Sequence, residues 1–455
     1  MIKIIISWNP MKITKQESIA LLFALTTHTA FAGEGITPTP DYTGSILERS
    51  TLTGDWNGVR QNLAENGLQA DFKVVTTYQN MFDGGIDRDD GFVSTQELHL
   101  QLDTGKSDLW EGGLIKLKVQ ARYGDALTDV GSFSPSNANA LFPNDLDHIK
   151  QDTIGITELV YTQFLSPQFG ILAGLINTSE GDANVLAGNL SSSSQFMNTS
   201  FLTSMGNFRT MPNSTLGAGL IFIPTDWLMG TFVILDTEES AIDNPFSSSK
   251  GSTLSTEWKA KYQLGALPGA QTFGFLYAFD NKFSESDEDP RGSFPSGLIN
   301  GRSPEYSSDS WAFYHNAHQY IQYEDGRGWG IFTRFGIAER DTNPIDWSAA
   351  VGFSGKGVLN FRPNDTFGFG YYHLELAENR LFDALGMNDE NGFEVWYNAE
   401  VTPWFHLTAD LQIIDTAFDK TNFKRLPAGF DDATAGDSPN GESAWIIGLR
   451  SEIEF

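Results

Sequence analysis

The sequence predicts an all-β chain closed into a transmembrane antiparallel barrel of about sixteen strands, with a short N-terminal helix before the first strand. Three observations predict it. Beyond Gly67, apolar and polar residues alternate with period two in segment after segment, and successive side chains of a strand face opposite ways. The segments run to about ten residues, roughly twice a usual soluble strand and the length a tilted strand needs to cross a bilayer. Aromatic residues gather at segment ends, at Tyr78, Tyr123, Trp404, Phe405, Trp445 and Phe455, as in an interfacial girdle.

Composition narrows the setting. The 455 residues carry 29 Lys and Arg against 58 Asp and Glu, a net charge of −29, and no cysteine. A chain of this size without cysteine suits export to an oxidising compartment. The basic stripes that phosphate backbones require are missing, which argues against nucleic acid as a partner.

The elements follow in order. Lys12 and Lys15 precede the apolar run Ile19–Leu25, and Ala30-Phe31-Ala32 matches a leader-peptidase site. Residues 1–32 therefore read as a signal peptide, with Met11 as an alternative start. Residues 33–67 read as a linker and short helix. The helix is expected over 56–66, capped by Thr53 or Asp55, with Val59 and Leu63 on one face and Asn66-Gly67 as the stop.

Residues 68–455 read as the barrel. Phe72, Val74, Thr76 and Tyr78 alternate with Asp71, Lys73, Val75 and Thr77. Leu98, Leu100 and Leu102 alternate with Glu97, His99 and Gln101. Ile115 to Tyr123 alternate with Lys116, Lys118, Gln120 and Arg122. The same pattern recurs over 254–262, 273–279, 393–401 and 405–413, with a tight turn at Thr402-Pro403. Long polar stretches at Asp280–Asp309 and Ala417–Glu442 fit outer loops opposite short turns. The last strand puts Trp445, Ile447, Leu449, Ile453 and Phe455 on one face and Arg450, Glu452 and Glu454 on the other. It must pair with the first strand near Leu68–Tyr78, because in lipid every backbone polar group needs an internal partner and an open edge has none. A closed sheet of this strand number encloses an aqueous channel.

Several stretches resemble one family. Leu52-Thr53-Gly54-Asp55-Trp56-Asn57-Gly58-Val59-Arg60, Ala173–Asn177, Phe196-Met197-Asn198-Thr199-Ser200-Phe201, Gly355-Lys356-Gly357 with Arg362–Gly368, and Thr402-Pro403-Trp404-Phe405 running into Ala409–Gln412 resemble the carbohydrate-selective, OprB-like porins of Gram-negative outer membranes. The second and third stretches look like mid-barrel segments. The resemblance implies passive uptake of sugars through a constricted lumen, with no cofactor and no chemistry. It also implies outer-membrane lipid as surroundings. The terminal Phe455 resembles the end that the barrel-assembly machinery reads. Monomer and homo-oligomer stay open.

A neutral sugar calls for charged or amide groups that bond hydroxyls, for aromatic faces, and for binding weak enough to release. The inward-parity candidates are Glu97 and His99 on one strand, Lys116, Lys118 and Arg122 on the next, and Glu394 and Trp396 on a late one. Arg334 and Arg362 lie in other late segments. Opposed basic and acidic side chains would form the constriction, and Trp396 would offer a stacking face. No metal is expected. Asp87–Gly91 with Glu97 has a calcium-loop spacing, but Ile86 and Arg88 occupy ligand positions. His315 and His318 are spaced for a helix, in aromatic and aperiodic surroundings. No G-x-S-x-G nucleophile motif occurs. The competing readings are a general or cation-preferring pore, a secreted soluble β-protein, and an outer-membrane hydrolase.

Overall fold

The computed structural model describes residues 35–128, 130–143, 152–238, 240–242, 251–284, 306–378, 382, 387–418 and 443–455. The expected leader, the acidic run at 285–289 and most of the two long polar loops lie outside the described residues.

One helix, α1 (Val59–Glu65), precedes the strands β1 (Leu68–Asp83), β2 (Asp90–Asp103), β3 (Gly113–Asp125), β4 (Thr153–Ser166), β5 (Phe169–Asn177), β6 (Ser214–Thr225), β7 (Leu228–Asp236), β8 (Ser252–Leu264) and β9 (Leu267–Phe279). A two-stranded ribbon, β10 (Phe283–Ser284) and β11 (Tyr306–Ser307), stands apart from the barrel. Then come β12 (Ser310–Glu324), β13 (Arg327–Ala338), β14 (Ile345–Lys356), β15 (Thr366–Leu376), β16 (Glu390–Thr402), β17 (Phe405–Asp415) and β18 (Ala444–Glu454). Apart from the ribbon, all are hydrogen-bonded into one closed barrel of sixteen strands.

The seam is β18 against β1, antiparallel, from Lys73 opposite Glu454 to Asp83 opposite Trp445. Phe455 extends it: its N–H donates to the Phe72 carbonyl at 2.7 Å, and the two rings lie 5.5 Å apart. The outward parity forms an exposed apolar band that includes Tyr78, Tyr123, Phe273, Phe353, Val395, Ile447 and Leu449. In water such a continuous band would be costly, whereas lipid covers it. The short turns share one end of the barrel with α1, which assigns that end to the periplasm and the long connections to the outside.

The helix differs from expectation. It starts at Val59, its N-cap is Gly58 with φ 88°, and no side chain caps it. Asp55 instead turns the chain ahead of it, accepting Asn57 N–H on its side chain and Arg60 N–H on its carbonyl. The buried face carries Arg60 and Ala64, while Val59 is exposed. Arg60 explains the inversion. Its guanidinium bonds Thr51, the Ala70 carbonyl and Asp71, and it lies 4.0 Å over the Tyr42 ring. The Leu52–Arg60 motif thus serves to bring one arginine down onto the start of β1. Burial and the Asp71 carboxylate push the Tyr42 hydroxyl above its ordinary pKa.

Candidate lumen constriction

The Thr178–Asn213 connection between β5 and β6 folds into the barrel. It has no period of two, and asparagine sets its local shape. Asn177 and Asn198 accept the N–H groups of Ser179 and Ser200 at 3.1 and 3.0 Å, each starting a single 3₁₀ turn. Asn137 does the same in the neighbouring inward segment before Ala138–Ala140. Such side-chain bonds offer the backbone partners other than a sheet ladder. Phe196–Phe201, expected as a mid-barrel segment, therefore lies on this inserted segment, while Asn177 ends β5.

Packing fixes the segment to one side of the wall. Leu186, Phe196, Phe201, Leu202 and Met205 cluster with Phe332, Ala350, Tyr372, Leu374 and Trp396 of β13 to β16. Wall glycines make the space. A Cβ on Gly370 would strike the Phe201 ring, and one on Gly336 would strike the Ser204 hydroxyl.

Buried charges complete the attachment. Arg334 of β13 donates to the carbonyls of Phe201, Gly188 and Asp182 at 2.7, 2.6 and 3.0 Å and pairs with the Asp182 carboxylate at 2.6 Å. Glu394 of β16 accepts the Met197 and Asn198 N–H groups at 2.6 and 2.9 Å. Arg122 of β3 donates to the Ala140 carbonyl at 2.7 Å. Glu390 accepts from Phe133 N–H, Ser132 and Tyr372, and Arg450 donates to Asn139 and the Gln195 carbonyl. Arg122, Arg334 and Glu394 are thus engaged with inserted backbone and not with open water.

A second set forms a chain of alternating charge. Glu97 lies 3.4 Å from Lys73 and 3.8 Å from Lys118, and accepts from Gln120. Lys118 reaches Glu180 of the inserted segment at 3.8 Å. Glu180 reaches Lys116 at 3.6 Å, and Lys116 reaches Glu158 at 3.7 Å. A register shift between Lys118 and Val119 skips Thr157 and sets Glu158 beside these lysines. His99 joins through Glu97 at 2.9 Å. Lys118 and Glu97 are buried, but the side chains of Lys116, Glu180 and His99 keep 17, 22 and 36 % of their exposure. Glu97, Lys116 and Lys118 are brought together in this set of opposed basic and acidic groups.

Two expectations fail. Trp396 is 2 % exposed, with the Phe196 ring set edge-on at 5.7 Å, so it presents no free face for stacking. Arg362 lies in the periplasmic turn between β14 and β15, outside the strands, held by Asp365 and the Glu400 carbonyl. His315 and His318 fall on opposite faces of β12, where His318 is buried inside and His315 packs against Phe273 outside. The sequence reading missed Lys73, Glu158, Glu180, Asp182, Glu390 and Arg450 as partners. Lys73, Glu390 and Arg450 share the inward parity, which was the available signal.

The model of the carbohydrate-selective porin, OprB family, matches residues 95–455. The chain belongs to that family. It is an outer-membrane porin for carbohydrate, with the family and fold of a channel. Porin B of Pseudomonas aeruginosa is 24 % identical over 446 residues, covering 89 % of this chain and 91 % of that one. A putative porin, QuiX, of Acinetobacter baylyi is 22 % identical, covering 90 and 94 %. Among solved structures, the high-pH form of Pseudomonas putida OprB superposes with a TM-score of 0.74 at 19 % identity, covering 90 % of this chain and 100 % of that one. The family's shared fold accounts for the barrel, its seam and the N-terminal helix.

Proposed function

We propose that sugars diffuse between the inserted segment and the β2–β3 wall, where Lys116, Glu180 and His99 bond their hydroxyls. The observation that carries this reading is the exposure of these three groups within an otherwise buried charge chain. An ammonium donates, a carboxylate accepts, and imidazole does either, which suits a hydroxyl-rich neutral solute. Each already has a charged neighbour, so a sugar exchanges one set of bonds for another and binds weakly enough to leave. Arg122, Arg334, Glu394 and Trp396 act one step back, holding the segment that sets the width. Phe455, bonded across the seam to Phe72, serves as the assembly signal for the barrel-assembly machinery.

Liposome swelling and single-channel recording of Lys116→Met and Glu180→Gln test the aperture. Sugar block of the ion current weakens in both variants while the barrel stays folded. Unchanged block in both, with altered ion selectivity, points to a general cation-preferring pore and rejects the sugar contact.

A further inference from the structure

On the outer wall, near the end of β15 that carries the long connections, three ionisable side chains converge. They are His373 and Glu375 of β15 and Asp389, which immediately precedes β16. The buried Tyr372 and Leu374 point inward, so His373 and Glu375 face outward. One ring nitrogen of His373 and one carboxylate oxygen from each acid lie within 4.8 Å of one another. Around them the surface is aromatic: Trp347 covers His373 at 4.6 Å, and Tyr371 packs on Phe393 at 4.8 Å.

We propose that His373, Glu375 and Asp389 bind one divalent transition-metal cation, with Zn²⁺ the best match to an imidazole and two carboxylates. The hydrogen bonds behind the histidine are the second observation. Asn391 Oδ1 accepts from the Tyr371 hydroxyl at 2.6 Å and faces His373 Nδ1 at 2.7 Å. An amide oxygen only accepts, so Nδ1 carries the hydrogen. This leaves Nε2 as the nitrogen directed at Glu375, 3.1 Å away. A nitrogen lone pair opposite a carboxylate oxygen is repulsive until a proton or a metal cation sits between them, and the third donor, Asp389, favours the metal. The arrangement is that of a metal-ligating histidine whose other nitrogen is anchored by a polar partner. Asp389 is tied down by accepting the Leu376 N–H at 3.0 Å, which fixes the third donor. Three protein donors leave one tetrahedral position open outward. The site stands on the outer wall, so it is independent of the sugar path.

The test is a calorimetric titration of the folded, detergent-solubilised full-length protein with Zn²⁺ alone, paired with the visible absorption of added Co²⁺. One ion binds per chain. His373→Ala and Asp389→Asn each weaken binding at least tenfold, and Asn391→Ala weakens it about 10–100-fold through loss of the hydrogen bond that orients the imidazole. Asp389 lies outside the strands, so its variant keeps the barrel, and heat-modifiable gel mobility verifies this. Excess Ca²⁺ or Mg²⁺ fails to displace the ion. Absence of uptake by the folded wild type overturns the proposal and leaves a proton bridging His373 and Glu375. Equal affinity in His373→Ala, or equal displacement by Ca²⁺, also overturns it.

Discussion

Arg334→Met isolates the attachment of the inserted segment. The substitution keeps length and apolar stem but removes the ion pair with Asp182 and the bonds to three carbonyls. It also leaves the Asp182 carboxylate, itself buried, without its cation. Breaking a buried pair by removing one partner costs about 3–5 kcal/mol. The loss is local, because the β13 ladders to β12 and β14 use backbone groups that the side chain does not touch. At about 1.4 kcal/mol per factor of ten, the released state of 178–213 gains roughly two to three and a half orders of magnitude in population. Amide exchange at Gly188 and in 199–203 accelerates accordingly, while β12–β14 amides keep wild-type protection. Single-channel current rises and becomes noisier. Arg334→Lys restores the charge but not the fork geometry, and gives an intermediate effect. Unchanged exchange in the segment would refute the anchoring role. Loss of heat-modifiable mobility would refute the separation of segment from barrel.

Three further outcomes follow from the geometry. Trp396→Ala costs about 3–5 kcal/mol of local packing and loosens the segment, yet the strength of sugar block per open channel stays at the wild-type value. A lost block without loosening would restore the stacking role. Deleting Phe455 lowers the yield of folded barrel in the membrane more than it alters the conductance of the channels that do insert, and a normal yield would refute this. Burial alone would raise the Asp365 pKa, but bonds from Arg362, Tyr397 and Glu400 N–H more than offset it and hold it below the ordinary aspartate value. A depressed carboxylate contributes stability above its unfolded pKa and loses it as pH falls through the folded one. The turn at 357–365 therefore stays clamped through mildly acid pH and opens only below the ordinary aspartate range, as read by exchange at Glu400. Opening near neutral pH would contradict the sign.

The barrel was legible in the sequence because lipid leaves few alternatives. Alternation over 72–78, 115–123 and 445–455 fixed which side chains face out, and closure forced β18 onto β1. The inward residues were harder. Period two tells which face Arg334 and Glu394 occupy but not what covers that face. Glu394 meets Met197 across 197 positions of chain, and Arg334 meets Asp182 across 152. The inserted segment itself is written in Asn-Xaa-Ser turns, which read locally like any surface loop. The helix cap was misread for a related reason. Asp55 is a good cap by type, yet burial of Arg60 sets the entry of the chain, and Gly58 supplies the left-handed step.

The wall glycines carry one more consequence. Gly336 and Gly370 are recesses cut to the outline of Ser204 and Phe201, so the mould sits on wall strands and the casting on the inserted segment of the same chain. An engineer who grafts a longer loop from another barrel into positions 178–213 would meet a wall shaped for the old one. Retuning the aperture is therefore more direct from the recess side. A single methyl group at Gly370 displaces the ring seated there and shifts the opening without altering any residue that touches the solute.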